Sequence, residues 1–180
     1  QYKQDDYIHQ LLKEMRVYIV PAVNIDGSRL ASSGTCEVGS GHTNTEGVDI
    51  DANFVDSEEY GGISEQAETK AVKKSLQLSS SSIVVNVRSG ENVISYFGSV
   101  EKELATAFIN GRELIKSKDF GCPDKTGKFP SAVVEYNSFF AHSGSLVSYA
   151  SWYMHHAAVE LNLGCCRYPD ANQLTEIWNE

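Results

Sequence analysis

Five histidines, four cysteines and 24 acidic residues are the side chains of this 180-residue chain that could do chemistry. A catalytic metal centre needs three protein ligands, commonly His with a carboxylate, and one position left open for water. His9, His42, His142, His155 and His156 offer nitrogen donors, yet none stands in an HxxE, HExxH or His-x-His spacing. His155 and His156 are adjacent, and neighbours in an extended segment point to opposite faces, so both do not converge on one ion. The plainer reading gives these histidines structural or surface places. Nucleophile and phosphate chemistry find no support either: the chain has no Gly-x-Ser-x-Gly elbow, no GxGxxG fingerprint and no Gly-Lys-Ser/Thr loop. Gly39 to Gly47 is glycine-rich but lacks the lysine and the following helix.

The cysteines, Cys36, Cys122, Cys165 and Cys166, allow three connectivities for two disulfides, and no CxxC pair points to a structural zinc site. Adjacent Cys165 and Cys166 are not expected to pair with each other. Disulfides would place the chain in an oxidising, secretory or extracellular compartment, whereas buried free thiols would pack as small hydrophobes. No N-x-Ser/Thr site decides between them. A net charge of -9 with dispersed basic residues argues against binding a phosphate backbone. No apolar run reaches the length of a membrane span, and QYKQDDY lacks the basic start and apolar middle of a signal peptide, so this segment is expected to make no membrane contact.

Periodicity supplies the elements that must position these residues. Asp5 to Glu14 predicts a helix with Ile8, Leu11 and Leu12 on one face, followed by a buried strand, Val17 to Val20, stopped at Pro21. Asp26 to Gly47 reads as a long surface loop. Ser64 to Gln77 predicts a helix whose inward stripe is Val72 and Leu76, with Ser79 to Ser82 connecting it to a strand over Ile83 to Val87. A helix from Val100 to Lys116 carries Leu104, Phe108 and Leu114 near one face, weakened by Gly111. Ser131 to Tyr136 and Ala157 to Leu163 predict strands, and Ala171 to Trp178 a closing helix. Trp152, Tyr153 and Trp178 read as core or interface residues. Alternation of strands and helices predicts an α/β fold, a mixed sheet with helices on both faces, in one domain.

Three stretches carry a resemblance: VYIVPAVNIDG from Val17, GHTNTEGVDIDANFVD from Gly41, and LGCCRYP from Leu163, with ETKAV from Glu68 beside them. Together they resemble the zinc metallocarboxypeptidases of the regulatory branch, which includes carboxypeptidases D, E, M and N. The similarity extends over essentially the whole chain and is weakest between Val100 and Lys128. It implies a carboxypeptidase-like sheet, with residues 1–180 forming the C-terminal portion of one such domain, incomplete at its N-terminus and beginning downstream of the family's His-x-x-Glu zinc pair.

The resemblance also assigns positions, and most carry other residues here. Arg88 falls where the third zinc ligand, a His, is expected, and a guanidinium has no lone pair to offer a metal. His42 stands where an Arg would polarise the scissile carbonyl. Asp51 and Ala52 stand where an Asn and an Arg would grip a substrate's C-terminal carboxylate, so a like charge replaces a fork of donors. Ser99 replaces an Asp that would recognise a basic side chain, and Phe140 a Tyr that would touch substrate. Asn162 occupies the general-base position, where an amide cannot accept and return a proton. Glu160 lies two residues earlier on the same strand face, so a two-residue slip could present it as an alternative base.

What matches is scaffold: Pro21, Asn24, Asp26, Gly27, Gly41, Asn44, Gly47, Asp49, Asn53, Phe54, Gly164, Cys165 and Cys166. Random decay would damage fold and site alike. The resemblance therefore implies a catalytically degenerate pseudoenzyme without bound zinc, similar in character to the inactive third domain of carboxypeptidase D. Such a domain would serve in the secretory pathway as a scaffold or a protein- or peptide-binding module, beside neighbouring carboxypeptidase or transthyretin-like domains. Two other expectations stand beside it. One is a divergent zinc carboxypeptidase releasing basic C-terminal residues, using Glu160 and a ligand such as His155 or His156. The other is a truncated fragment without independent function.

Overall fold

Asp5 opens the first helix because its side chain accepts from the amides of Tyr7 and Ile8, satisfying donors that a helix start leaves without partners. That helix, α1, spans Asp6–Glu14 in the computed structural model, which describes residues 5–36, 41–55, 64–112, 133–139 and 144–179. Asn24 caps a second short helix, α2 (Ile25–Leu30), by accepting from Gly27 N–H. Gly27 is required there: a Cβ would lie 2.2 Å from the carbonyl of Thr43. A 3₁₀ turn, Ile50–Ala52, follows, and then α3, Ala67–Ser79.

The sheet contains β1 (Ile83–Arg88), β2 (Glu91–Tyr96), β3 (Val133–Glu135) and β4 (Ala157–Gly164) in the order β1-β4-β2-β3. β4 runs parallel to β1 on one side and antiparallel to β2 on the other, while β3 is parallel to β2. Ser89 and Gly90 carry the chain past the end of β4, where Gly90 N–H donates to the Gly164 carbonyl at 2.7 Å. Strand alternation divides the apolar side chains between two faces. On one, Val84 and Ala158 pack with Tyr136, Val147 and Ala150; on the other, Ile94 and Val159 pack with Ala105 of α4 (Ser99–Arg112). Helices cover both faces, as the sequence predicts.

The first of these faces also receives α5 (Tyr136–Phe139), α6 (Leu146–Ser148) and a π-helical turn, Tyr149–Tyr153. Ile50 and Phe54 pack on Tyr149, joined by the predicted inward stripe Val72 and Leu76. Cys36 and Cys166 form a disulfide across 130 residues, beside an antiparallel bridge of Thr35 with Tyr168. Cys165 is disulfide-bonded as well. The chain ends in α7, Ala171–Asn179.

Several expectations are corrected. Val17 to Val20 pairs with no strand among the described residues and is exposed, Ile19 at 80%. The long loop begins with α2, which the Asn24 cap and its bond to Gly27 stabilise against the glycine. The sequence predicts no strand at β2, whose Glu, Asn and Ser break the apolar pattern; yet Ser95 is 1% exposed, because it lies in register with Glu160 on the face that Tyr136, Val147 and Ala150 cover, while Ile94 on the other face meets α4. Tyr136 starts a helix instead of ending a strand. Trp152 and Tyr153 are half exposed, Trp152 edge-on to Phe97 and Tyr153 stacked on Tyr149. Leu114, Cys122, Phe140 and His142 lie outside the described residues, as do the ends of the expected helix at Lys116 and strand at Ser131.

Candidate functional site

In open α/β sheets, side chains at the carboxyl ends of parallel strands face a crevice where strand direction changes. Here that place is the end of β1 and β4. Strand period 2 turns Asn86 and Arg88 of β1 toward the same face as Glu160 and Asn162 of β4, with Asn86 in register with Glu160 and Arg88 with Asn162. The 3₁₀ turn brings Asp51 onto them from above. Its position is set by Asp49, whose carboxylate accepts from Asp51 N–H, and by the apolar anchors Ile50 and Phe54. Gly144 allows the close approach, since its N–H-bearing backbone has φ +92° and a Cβ would meet the Ala52 carbonyl at 2.8 Å.

The result is a buried ionic cluster. Arg88 Nη1 pairs with Asp51 Oδ2 and lies 3.8 Å from Glu160 Oε2. Asn86 Nδ2 donates to both carboxylates, to Asp51 Oδ1 and Glu160 Oε2, each at 3.2 Å. Asn162 Nδ2 donates to Glu160 Oε1 at 2.9 Å, and Leu146 N–H to Asp51 Oδ1 at 3.2 Å. Glu160 is 1% exposed and Asn162 4%. Burial pushes the Asp51 carboxyl up to about 7; Arg88 pulls it down and Glu160 pushes it further up. Tyr136, buried beneath, has its hydroxyl raised above the usual tyrosine range by burial, with Ser145 as a hydrogen-bond partner.

A second group sits at the rim. His42 Nε2 lies 3.1 Å from Asp49 Oδ2, and its Nδ1 faces Arg167 Nη1 at 3.3 Å. Because a guanidinium only donates, Nδ1 must accept, which puts the proton on Nε2 facing the carboxylate. Arg167 is lowered from the ordinary arginine value by burial first and by the nearby charge of Arg88 second.

Of the residues singled out from the sequence, the fold brings together Asp51, Arg88, Glu160 and Asn162, with His42 at the rim. Ala52 is exposed beside them. Ser99 is the exposed first residue of α4, the helix that packs on the opposite face. His155 departs from the extended segment expected, with φ +55° after the π-helical turn, and His156 N–H donates to the Ala150 carbonyl. Asn86, Arg167 and the Leu146 amide were not foreseen. Asn86 alone carried a signal, as a polar residue within a β-branched run facing the same side as Arg88.

The zinc that the resemblance implies does not fit the donors present. Arg88 projects a cation between the two carboxylates, and among the described residues no three His, Cys, Asp or Glu side chains come together as a metal site.

Comparison with known proteins gives the lineage. The family model for zinc carboxypeptidases matches residues 1–180. Carboxypeptidase D of Anas platyrhynchos is 28% identical over 189 residues, covering 98% of this chain and 14% of that protein. Carboxypeptidase D of Mus musculus is 29% identical over 191 residues, covering 99% of this chain and 13% of that protein. Carboxypeptidase M of Mus musculus is 25% identical over 198 residues, covering 99% of this chain and 44% of that protein. The chain thus spans about a seventh of the carboxypeptidase D relatives and less than half of the carboxypeptidase M relative. With the full-length match and the mixed sheet in agreement, this chain belongs to the zinc carboxypeptidase family.

Proposed function

We propose that this chain is a non-catalytic member of its family, a folded scaffold or protein- or peptide-binding module of the secretory pathway. The observation that supports it is Arg88 on Asp51 and Glu160. At the position where the resemblance implies a zinc-ligating His, a cation is fastened to the residue that stands where a substrate carboxylate would be gripped. The carboxylate that could replace the missing general base, Glu160, receives both carboxamides and lies within reach of Arg88. A base so engaged would have to give up several donors before taking a proton from water. Disulfide bonding of Cys36 to Cys166 supports an oxidising compartment. The partner would be a protein or peptide, and neighbouring carboxypeptidase domains would belong to a longer chain, as in the much longer carboxypeptidase D relatives.

The test is elemental zinc content of the purified protein together with release of C-terminal residues from peptides ending in Arg or Lys, run beside an active carboxypeptidase. The expected result is zinc far below one per chain and no release above background. The second reading, a divergent zinc carboxypeptidase with Glu160 as base and His155 or His156 as ligand, predicts one zinc per chain and turnover abolished by Glu160→Gln.

A further inference from the structure

The cluster around Arg88 contains an imbalance that neither hydrolysis nor its loss explains. A buried carboxylate, Glu160, and a largely covered one, Asp51, share one guanidinium nitrogen and one carboxamide nitrogen. Two anions held this close in a poorly hydrated place do not both stay ionised at small cost, and one compensating cation removes only one of the charges. We infer that the Asp51–Glu160 pair on Arg88 is a proton-operated fastening: uptake of one proton tightens the attachment of residues 41–55 to the sheet, and its release loosens it.

The geometry gives the fastening its reach. Asp51 belongs to the 3₁₀ turn, Arg88 and Asn86 to β1 and the Leu146 amide to α6, so this carboxyl joins three parts of the fold, and Asn86 and Arg88 carry the connection on to Glu160 of β4. The charged and titratable groups facing it are Arg88 from β1, Glu160 from β4 and Asp49 from its own segment. Tyr136 from α5 also bears on the cluster, and Arg167 lies beyond Arg88. Only Arg88 among these compensates Asp51 by direct contact. The direction of the Asp51 shift agrees, with burial as its main cause and Glu160 adding to it.

The sign follows. A carboxyl with a folded value near 7 and an unfolded value near 3.8 binds a proton in the folded state alone between those limits. Folding is then favoured as pH falls through that window, by up to about tenfold in the equilibrium per pH unit. In a chain of this size that corresponds to a rise of roughly 3–5 °C in Tm per unit.

The experiment is thermal unfolding of the chain between pH 8 and pH 5, for wild type and Asp51→Asn, with the Leu146 amide of the wild type followed by NMR over the same range. The expected result is a wild-type Tm that climbs toward acid, an Asp51→Asn Tm that climbs much less, and a Leu146 amide shift titrating near neutrality. Glu160→Gln should move that midpoint down, since it removes the second anion. A wild-type Tm that is level or falls toward acid overturns the proposal, as does a Leu146 amide that does not titrate or a midpoint indifferent to Glu160→Gln. The NMR titration needs no variant, so a misfolded Asp51→Asn protein leaves the test intact. None of these readings depends on whether the chain hydrolyses peptides.

Discussion

Arg88 is the residue on which the site turns. Removing a partner from a buried ion pair costs more than the pair itself contributes, because the remaining charges lose their compensation. Arg88→Met should therefore destabilise the chain by roughly 3–5 kcal/mol at neutral pH, and by less at pH 5, where the Asp51–Glu160 pair can neutralise itself with a proton. Urea unfolding at the two pH values checks both halves. At this scale the sequence was informative about which residues matter and uninformative about what they do to one another. Arg88, Asp51 and Glu160 were each picked out, by position or by chemistry. That they form a single cluster depends on a contact between segments 37 residues apart, and on another 74 apart, which no local pattern encodes. The Leu146 amide is a backbone group and left no trace in residue types.

Among the elements, the segment that carries Asp51 is held by polar contacts as much as by Ile50 and Phe54. Asn53, 2% exposed, accepts from Gln66 N–H at 2.8 Å and from the Thr69 hydroxyl at 2.7 Å, so it ties the 3₁₀ turn to the start of α3. Asn53→Ala should leave buried donors without acceptors and cost about 1–3 kcal/mol for each that water cannot reach. Calorimetry would show the loss, and Asn53→Asp, which keeps an acceptor, should recover part of it. Elements with strong local signals were legible: α1, α3, α4, β1, β4 and α7 all form where periodicity places them. Those set by tertiary context were not. β2 shows no clean alternation because both of its faces are covered, Ile94 by α4 and Ser95 on the face that buries Glu160, whereas Val17 to Val20 has a strand's composition and no sheet edge beside it among the described residues.

For the molecule as a whole, covering is uneven. α4 buries the middle of its face of the sheet but leaves Ile83, Val85 and Val87 of β1 at 49, 38 and 57% exposure, next to Leu163 at 55%. An apolar strand face of this kind favours self-association. Val87→Lys should reduce light scattering of concentrated solutions while changing stability by no more than about 0.5 kcal/mol, as expected of a substitution at a half-exposed position. The mixed α/β class and helices on both faces followed from the alternation of elements. The strand order did not, because it requires knowing that the last strand enters between the first two.

That order governs how the chain can assemble. β1 and β2 are separated by Ser89 and Gly90 alone, a spacing suited to a hairpin, yet they do not pair; β4 lies between them. The contact joining Asn86 to Glu160 spans 74 residues, so the central pairings form only after a large loop has closed. On a ribosome, the first two strands would emerge and wait, and a prematurely closed β1–β2 hairpin would have to reopen to admit its proper neighbour. Pairing of β1 and β2 with β4 therefore has to wait until β4 is available, and the two earlier strands are the ones that a chaperone would have most reason to hold.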